Sequence, residues 1–503
     1  MNEALSQLLL GFEVALTPIN IMWTTLGGVL GTIIGMLPGL GPATGVAVLL
    51  PLTFKMGPVG AMITMAGVYY GAMFGGSRAS ILLNTPGDGA AIATCFDGYP
   101  MTQKGRAEAA LAMSAVASFI GGMIANVAMV FIAVPMARFS LKFGPAEYTL
   151  LMVFALVATA AMSKEKILQG FIGMAFGLMI ATVGLDGLTG VNRFTFGILE
   201  LMGGVDFLII IIGIYALGEV FKSFKTVHDP SYKMQTKFGK ITFTREDWKR
   251  SWPAILRATP LGFFIGALPG AGGTMAALMA YNNEKSVSKH PEEFGKGAIE
   301  GLAAPEAANN ASSVGALIPM MTLGIPGSGT TAVMLGALLM LGLQPGPLLF
   351  TKQPEVAWGM IASMFIGNII LLIVNMPMAS MLVRILAVPA KVLYPLILGL
   401  AFIGTYAITN STIDFFILIG FGLIGIFLDK TKIPTSPLIL GGIVGSTMET
   451  SFRQALMLSD GSPKIFYGST ITVALIAMSV FSIAWPFASS ALKKRRSNKA
   501  ASV

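Results

Sequence analysis

The chain has one cysteine, Cys95, and two histidines, His228 and His290, in 503 residues. A lone cysteine excludes a disulfide framework and a thiolate metal cluster. The two histidines stand far apart in polar sequence, which leaves no material for a histidine metal site or a catalytic dyad. Charge is scarce as well. Only 11% of residues are Asp, Glu, Lys or Arg, against about 25% in a soluble domain. Lys and Arg are missing from residues 1–54, which contain Glu3 and Glu13. The opening MNEALSQLLLGFEVAL has neither a basic n-region nor a small-residue cleavage site, so no secretory signal is expected.

What fills the chain is apolar sequence, with 54% hydrophobic residues. Runs at 109–137, 166–184, 205–221, 356–383, 412–428 and 466–489 recur along it. Crossing about 30 Å of hydrocarbon takes about 20 such residues in a helix. The runs are continuous and do not alternate, which excludes a strand barrel. The expected fold is an all-α polytopic membrane protein of about 10–14 hydrophobic elements, arranged as two repeats with Pro-Gly-broken helices or re-entrant hairpins.

The net charge is +9, and its placement says more than its size. Residues 222–253 hold Lys222, Lys225, Lys233, Lys237, Lys240, Arg245, Lys249 and Arg250, and the tail holds Lys493, Lys494, Arg495 and Arg496. By the positive-inside rule both segments face the cytoplasm, and the N-terminal stretch without Lys or Arg lies opposite. Membrane orientation thus accounts for the basic character without nucleic acid. The expected organisation is a first transmembrane repeat over 1–221, a cytoplasmic basic linker over 222–253, a second repeat over 254–490 and a cytoplasmic basic tail over 491–503. An outside N-terminus implies that the repeats are inverted in the membrane.

The repeat is visible in the text. GTIIGMLPGLGPATG (31–45) is answered by GFFIGALPGAGGT (262–274), and LLNTPGDGAAIAT (82–94) by TLGIPGSGTTAVM (322–334). The first pair is offset by 231 positions (Gly35 to Gly266) and the second by 240 (Pro86 to Pro326). Insertion of NNEKSVSKHPEEFGKG (282–297) in place of LTFKMGP (52–58) fits that growth. Proline stops or kinks a helix because it lacks an N–H and its ring clashes with the preceding turn. Matched breaks in two membrane repeats point to a substrate site, with new helix N-termini facing an anion and freed carbonyls a cation. Such backbone is tolerated only where protein or a water-filled cavity satisfies it.

The residues expected to bind substrate are Gly39, Gly41, Thr44, Ser77, Arg78, Asn84, Thr85 and Gly87 in the first half. In the second they are Gly270, Gly272, Thr274, Asn309, Asn310, Ser312, Gly327, Ser328, Gly329, Thr330 and Thr331. Thr44, Asn84, Thr274, Asn310 and Ser328 are the expected Na⁺ ligands. Arg78 could clasp a carboxylate bidentately or snorkel to the interface. Asn309 and Asn310 offer donor and acceptor without a charge penalty. Glu300 and Glu306 lie near the start of their helix, where a capping role competes. GIPGSGTT (324–331) has P-loop spacing, but Thr330 replaces the lysine that neutralises phosphate.

These segments, GMLPGLGPATG (35–45), GGSRASILLNTPG (75–87), DGYPMTQKGRAEAAL (97–111), GALPGAGGT (266–274) and 301–338, resemble the large membrane subunit of bacterial tripartite tricarboxylate transporters, the TctA family. The resemblance spans nearly the whole chain. That pattern has a small or apolar residue where this chain has Arg78. The resemblance implies a non-enzymatic secondary carrier for di- and tricarboxylates in the bacterial inner membrane. It implies no cofactor beyond a coupling cation, Na⁺ or H⁺. It also implies two partners, a small TctB-like membrane subunit and a TctC-like periplasmic binding protein. A gradient-independent anion channel and a non-transporting membrane scaffold are the alternatives.

Overall fold

The computed structural model describes residues 2–37, 40–84, 86–161, 167–186, 189–223, 243–376, 390–409 and 411–484. The described chain is almost entirely helical. The first elements are α1 (Asn2–Ala15), α2 (Pro18–Met36), α3 (Pro42–Thr53), α4 (Gly57–Leu83), α5 (Ile92–Gln103), α6 (Ala107–Ser140), α7 (Pro145–Ala161) and α8 (Ile167–Ala181). A two-residue antiparallel pair follows, β1 (Gly184–Leu185) with β2 (Asn192–Arg193). Next come α9 (Phe207–Ile211), a π turn over Ile212–Leu217 and α10 (Gly218–Ser223). The second half holds α11 (Arg245–Gly266), α12 (Gly272–Val287), α13 (Ile299–Leu323), α14 (Gly329–Met340), α15 (Pro347–Lys352) and α16 (Pro354–Asn375). It closes with α17 (Ala390–Thr409), α18 (Ile413–Thr431), α19 (Thr435–Leu458) and α20 (Thr470–Ala484).

Among the described residues, four stretches are long and apolar enough to cross a membrane: Pro18–Met36, Pro42–Leu83, Ala107–Ser140 and Pro354–Asn375. The apolar runs read from the sequence fall on helices over most of their described length; 166, 377–383 and 485–489 lie outside the described residues. Of the expected linker 222–253, residues 222–223 end α10 and 243–253 are described, with α11 already beginning at Arg245. Its start is fixed by a capping box in which the Thr244 side chain accepts from Asp247 N and Asp247 accepts from Thr244 N.

The chain forms two compact units. One comprises Met1–Ser140 and Leu208–Ile426, the other Leu141–Phe207 and Phe427–Val503. In the second unit α19 packs on α7 and α8. Arg193 bonds Glu449 there (2.8 and 3.2 Å), and Arg453 bonds Asp186 (2.9 Å) and Glu449, beside a cavity of about 250 Å³.

The first unit is organised around α4 and α13. Both are buried on every side along nearly their whole length, as expected of helices at the centre of a bundle. Helix α2 lies on α4 and α11 on α13, and both pairs approach through glycine. A β-carbon on Gly35 would stand 2.1 Å from the Ala72 carbonyl oxygen, and one on Gly266 the same 2.1 Å from that of Ser312. Gly31 meets Val68 as Gly262 meets Ala308, and Gly75 meets Thr32 as Gly315 meets Phe263. Every one of these contacts recurs at the offsets of the sequence repeat. The outer helices cross over, with α6 packing on α13 and α16 on α4. The half-helices do the same, α3 against α14 and α12 against α5.

Polar clamps hold the ends of this unit. Asp97 Oδ1 accepts from the backbone N–H groups of Gly295, Gly297 and Ala298, at 2.9, 2.7 and 2.8 Å. Lys104 Nζ donates to the Lys296 carbonyl. The motif 97–111 thus secures the long second-half loop to α5. Arg106 pairs with Asp247, Arg257 with Glu284, and Arg250 with both Glu293 and buried Glu300. Glu300 therefore ends an ion-pair network.

Two outcomes follow from these contacts. Gly266→Val overpacks the α11–α13 contact and lowers stability by about 1–3 kcal/mol or more, read as a lower unfolding temperature in detergent. Gly420→Val, where a β-carbon meets nothing within 4 Å, leaves that temperature unchanged. The hydrogen bond from Arg250 holds Glu293 below the usual glutamate range. A depressed pKa adds stability above the unfolded value, about 4.3, and loses it as pH falls through the lower native value. Acid unfolding of Glu293→Gln is therefore less steep in that window than that of the parent.

Candidate functional site

Each Pro-Gly break ends one helix and starts another. Helix α4 stops in a left-handed cap at Asn84 (φ 56°, ψ 27°), and α13 stops at Gly324 (φ 70°, ψ 27°). Asn and Gly are the residues that tolerate this conformation, which accounts for the exposed Asn84 without a ligand. The following half-helices begin at the breaks. Helix α3 has Gly41 as N-cap and Pro42 at its first turn. Helix α14 is closed by a capping box in which Ser328 N donates to Thr331 Oγ1 (2.9 Å) and Thr331 N donates to Ser328 Oγ (3.2 Å). Ser328 and Thr331 thus spend part of their hydrogen-bonding capacity on the cap.

The tips are seated on the helices behind them by the same glycine logic. A β-carbon at Gly87 would lie 2.0 Å from the Gly35 carbonyl oxygen, and at Gly327 it would lie 2.5 Å from that of Gly266. Gly270 N donates to the Gly327 carbonyl (3.2 Å), tying the two second-half tips together.

The four tips meet in a closed ring. The β position of Gly41 stands 3.1 Å from Asp88 Cβ, and that of Gly89 stands 2.4 Å from Thr274 Oγ1. The β position of Gly272 is 3.8 Å from Ser328 Cβ, and that of Gly329 is 4.0 Å from Ala43 Cβ. First break touches second, second touches third, third touches fourth, and fourth returns to first. The N-termini of α3, α5, α12 and α14 therefore surround one place, each contributing N–H groups and a positive dipole end.

Of the residues expected from sequence, Gly41, Gly87, Gly270, Gly272, Thr274, Gly327, Ser328 and Gly329 lie on this ring. Thr44, Thr330 and Thr331 are buried in the first turns behind it. Gly39 and Thr85 lie outside the described residues. Asn309, Asn310 and Ser312 are buried in α13. Asn309 Oδ1 has no hydrogen-bond partner and stands 2.6 Å from the β position of Gly273, which in turn is 3.1 Å from Ala90 Cβ. It is an acceptor aimed at the junction of the second and third breaks. Asn310 Nδ2 donates to the Glu306 carbonyl, and Ser312 Oγ to that of Asn309.

Ser77 and Arg78 belong to a separate polar cluster, buried one residue beyond Gly76. Glu306, in the second turn of α13, is buried and accepts from four hydroxyls. Ser77 (2.7 Å), Ser118 (3.0 Å) and Ser114 (3.1 Å) donate to Oε2, and Thr94 donates to Oε1. Arg78 Nη1 donates to Ser114 Oγ at 3.0 Å. The sequence reading gave Glu306 a competing capping role and named Ser77 without Thr94, Ser114 or Ser118. The i, i+4 spacing of Ser114 and Ser118 on one face of an apolar helix was the available signal. Two tyrosines were missed as well. Tyr69 OH lies 3.2 Å from Ser328 Oγ, and Tyr215 OH lies 2.7 Å from the β position of Gly329.

Comparison with known proteins adds the following. The family model described as the tripartite tricarboxylate transporter TctA family matches residues 21–440. An uncharacterised 52.8 kDa protein of the TAR-I ttuC' 3' region of Agrobacterium vitis is 40% identical over 478 residues, 95% of each chain. An uncharacterised protein of the TAR-II ttuC' 3' region of the same organism is 41% identical over 217 residues, 43% of this chain and 90% of its own length. No solved structure matches.

Proposed function

The chain belongs to the tripartite tricarboxylate transporter TctA family, and from this premise we propose that it carries a di- or tricarboxylate across the membrane by alternating access. The family makes it the multi-pass membrane component of a tripartite transporter, which is no enzyme family. The observation that carries the finer reading is the closed ring of four half-helix N-termini. A carboxylate there exchanges its water for backbone N–H groups, hydroxyls and the positive ends of the helices.

A cation travelling with the anion offsets its charge, so the loaded site crosses as a unit. Freed carbonyls before the breaks and hydroxyls such as those of Thr44 and Ser328 are suited to Na⁺. Recurrence of the same glycine contacts in α2/α4 and α11/α13 supports reading the halves as copies of one bundle. Charge placement supports their inversion, with 222–253 and the tail in the cytoplasm of the bacterial inner membrane. In this reading a TctC-like binding protein delivers the substrate to the outer face, and a TctB-like subunit completes the membrane assembly.

The test is uptake of labelled citrate by cells carrying all three components. Asn309→Ala removes an unpartnered acceptor and disturbs no other bond of its side chain, and it lowers uptake by about 10-fold or more, the order of effect of one lost polar contact to a substrate. Gly327→Leu, which has no room against Gly266 and Ala316, abolishes uptake while the protein still reaches the membrane. Parental uptake by both variants would falsify the site.

A further inference from the structure

We propose that Glu306, with the hydroxyls of Ser77, Thr94 and Ser118, forms a site for one Na⁺ ion that is thermodynamically linked to an anion on Arg78. The carrier reading above supplies the role of the ion; the site itself stands on the side chains.

The oxygens come from four helices, Ser77 on α4, Thr94 on α5, Ser118 on α6 and Glu306 on α13, and each residue is almost fully buried. All three hydroxyls point at one carboxylate, together with Ser114. Four O–H donors on one side chain are the complement of an acceptor-only carboxylate. A hydroxyl keeps lone pairs after donating, and rotation about its C–O bond turns one of them toward a cation. Ser77, Thr94, Ser118 and the two carboxylate oxygens make an all-oxygen set, the ligand type that hard cations take. Ser114 is committed elsewhere, since it accepts from Arg78 while donating to Glu306.

Charge selects a monovalent ion. Glu306 and, on the adjoining loop, Asp88 set two carboxylates against the one guanidinium of Arg78. Asp88 Oδ1 stands 3.6 Å from the β position of Gly76, the neighbour of Ser77. One Na⁺ cancels the excess negative charge, and a divalent ion would overshoot it in a medium that screens poorly.

Arg78 supplies the link. It is 1% exposed, and its Nε and Nη2 have no hydrogen-bond partner. Buried donors of a charged group are costly to leave unpaired, and this open edge matches a carboxylate bidentately. An anion on that edge adds negative charge beside the cation site, so each ion strengthens the other by the same factor.

The test is heat unfolding of the purified full-length protein in detergent, with NaCl, KCl or choline chloride at equal concentration. NaCl is expected to raise the midpoint by several degrees over the other two salts. Glu306→Gln, which keeps the size of the side chain, raises the Na⁺ concentration for half of that shift by on the order of 10-fold or more. Ser118→Ala raises it less. Citrate lowers the Na⁺ requirement of the parent, and Arg78→Gln still responds to Na⁺ but loses the effect of citrate. A parent with no Na⁺-specific shift, or a Glu306→Gln variant with an unchanged one, overturns the proposal. Citrate uptake that proceeds without Na⁺ alongside an absent shift removes this site and leaves the carrier. A shift that Glu306→Gln abolishes, in a protein that never transports citrate, leaves the site and removes the carrier.

Discussion

The contact between a glycine of one helix and a backbone carbonyl of the next sets the geometry of the first unit. Within lipid, helices gain nothing from hiding apolar surface, because the tails are as apolar as leucine, and association rests on close packing of small residues. Gly35 against Ala72 and Gly266 against Ser312 bring backbones together at a distance that a single methyl group would forbid. The breaks depend on that closeness. Gly87 and Gly327 rest on the carbonyl oxygens of these same two glycines, so the tip of each hairpin is placed by the packing of the helix pair behind it. A ring of four tips is then the meeting of two such hairpin pairs, and its dimensions follow from helix spacing more than from the tip residues themselves.

Burial of α4 and α13 on every side imposes a second constraint. A polar side chain on such a helix must find a partner on its own backbone or on a neighbour. Most take the first route, as in Ser312 to the Asn309 carbonyl, Ser313 to that of Asn310 and Thr322 to that of Ile318. These bonds tie up hydroxyl donors within α13 itself and account for part of the polar density of 301–338. Asn309 Oδ1 and the Glu306 cluster are among the exceptions that reach outward. One faces the ring, the other collects hydroxyls from three other helices.

Legibility in the sequence divides along the same line. The ends of α4 and α13 at Leu83 and Leu323 were readable because Pro and Gly act on the local backbone. Helices α6 and α16 were readable as apolar runs of sufficient length. The gathering of hydroxyls on Glu306 was not, since Ser77, Thr94 and Ser118 lie about two hundred residues away along the chain and meet it only because α4, α5 and α6 all pack on α13. Asp97 was equally opaque. It sat inside a motif, but its task of gathering three N–H groups of the loop before α13 depends on a crossover of half-helices that no local pattern encodes. Asn84 has a local role that the sequence reading did not assign, the left-handed cap of α4.

Arg78 shows how the two levels combine. The family resemblance places a small or apolar residue there, whereas Glu306 falls inside 301–338, the segment that carries most of that resemblance. A carboxylate ringed by serine and threonine hydroxyls is complete without a guanidinium, because Ser77, Thr94 and Ser118 reach it directly. Arg78 touches the cluster only through Ser114 and leaves two donors open. An added buried charge with an unfilled edge costs stability on its own. An anion on that edge, as proposed above, offsets this cost. On that proposal the oxygen cluster holds the cation without Arg78, and Arg78 brings the partner of the anion to its edge.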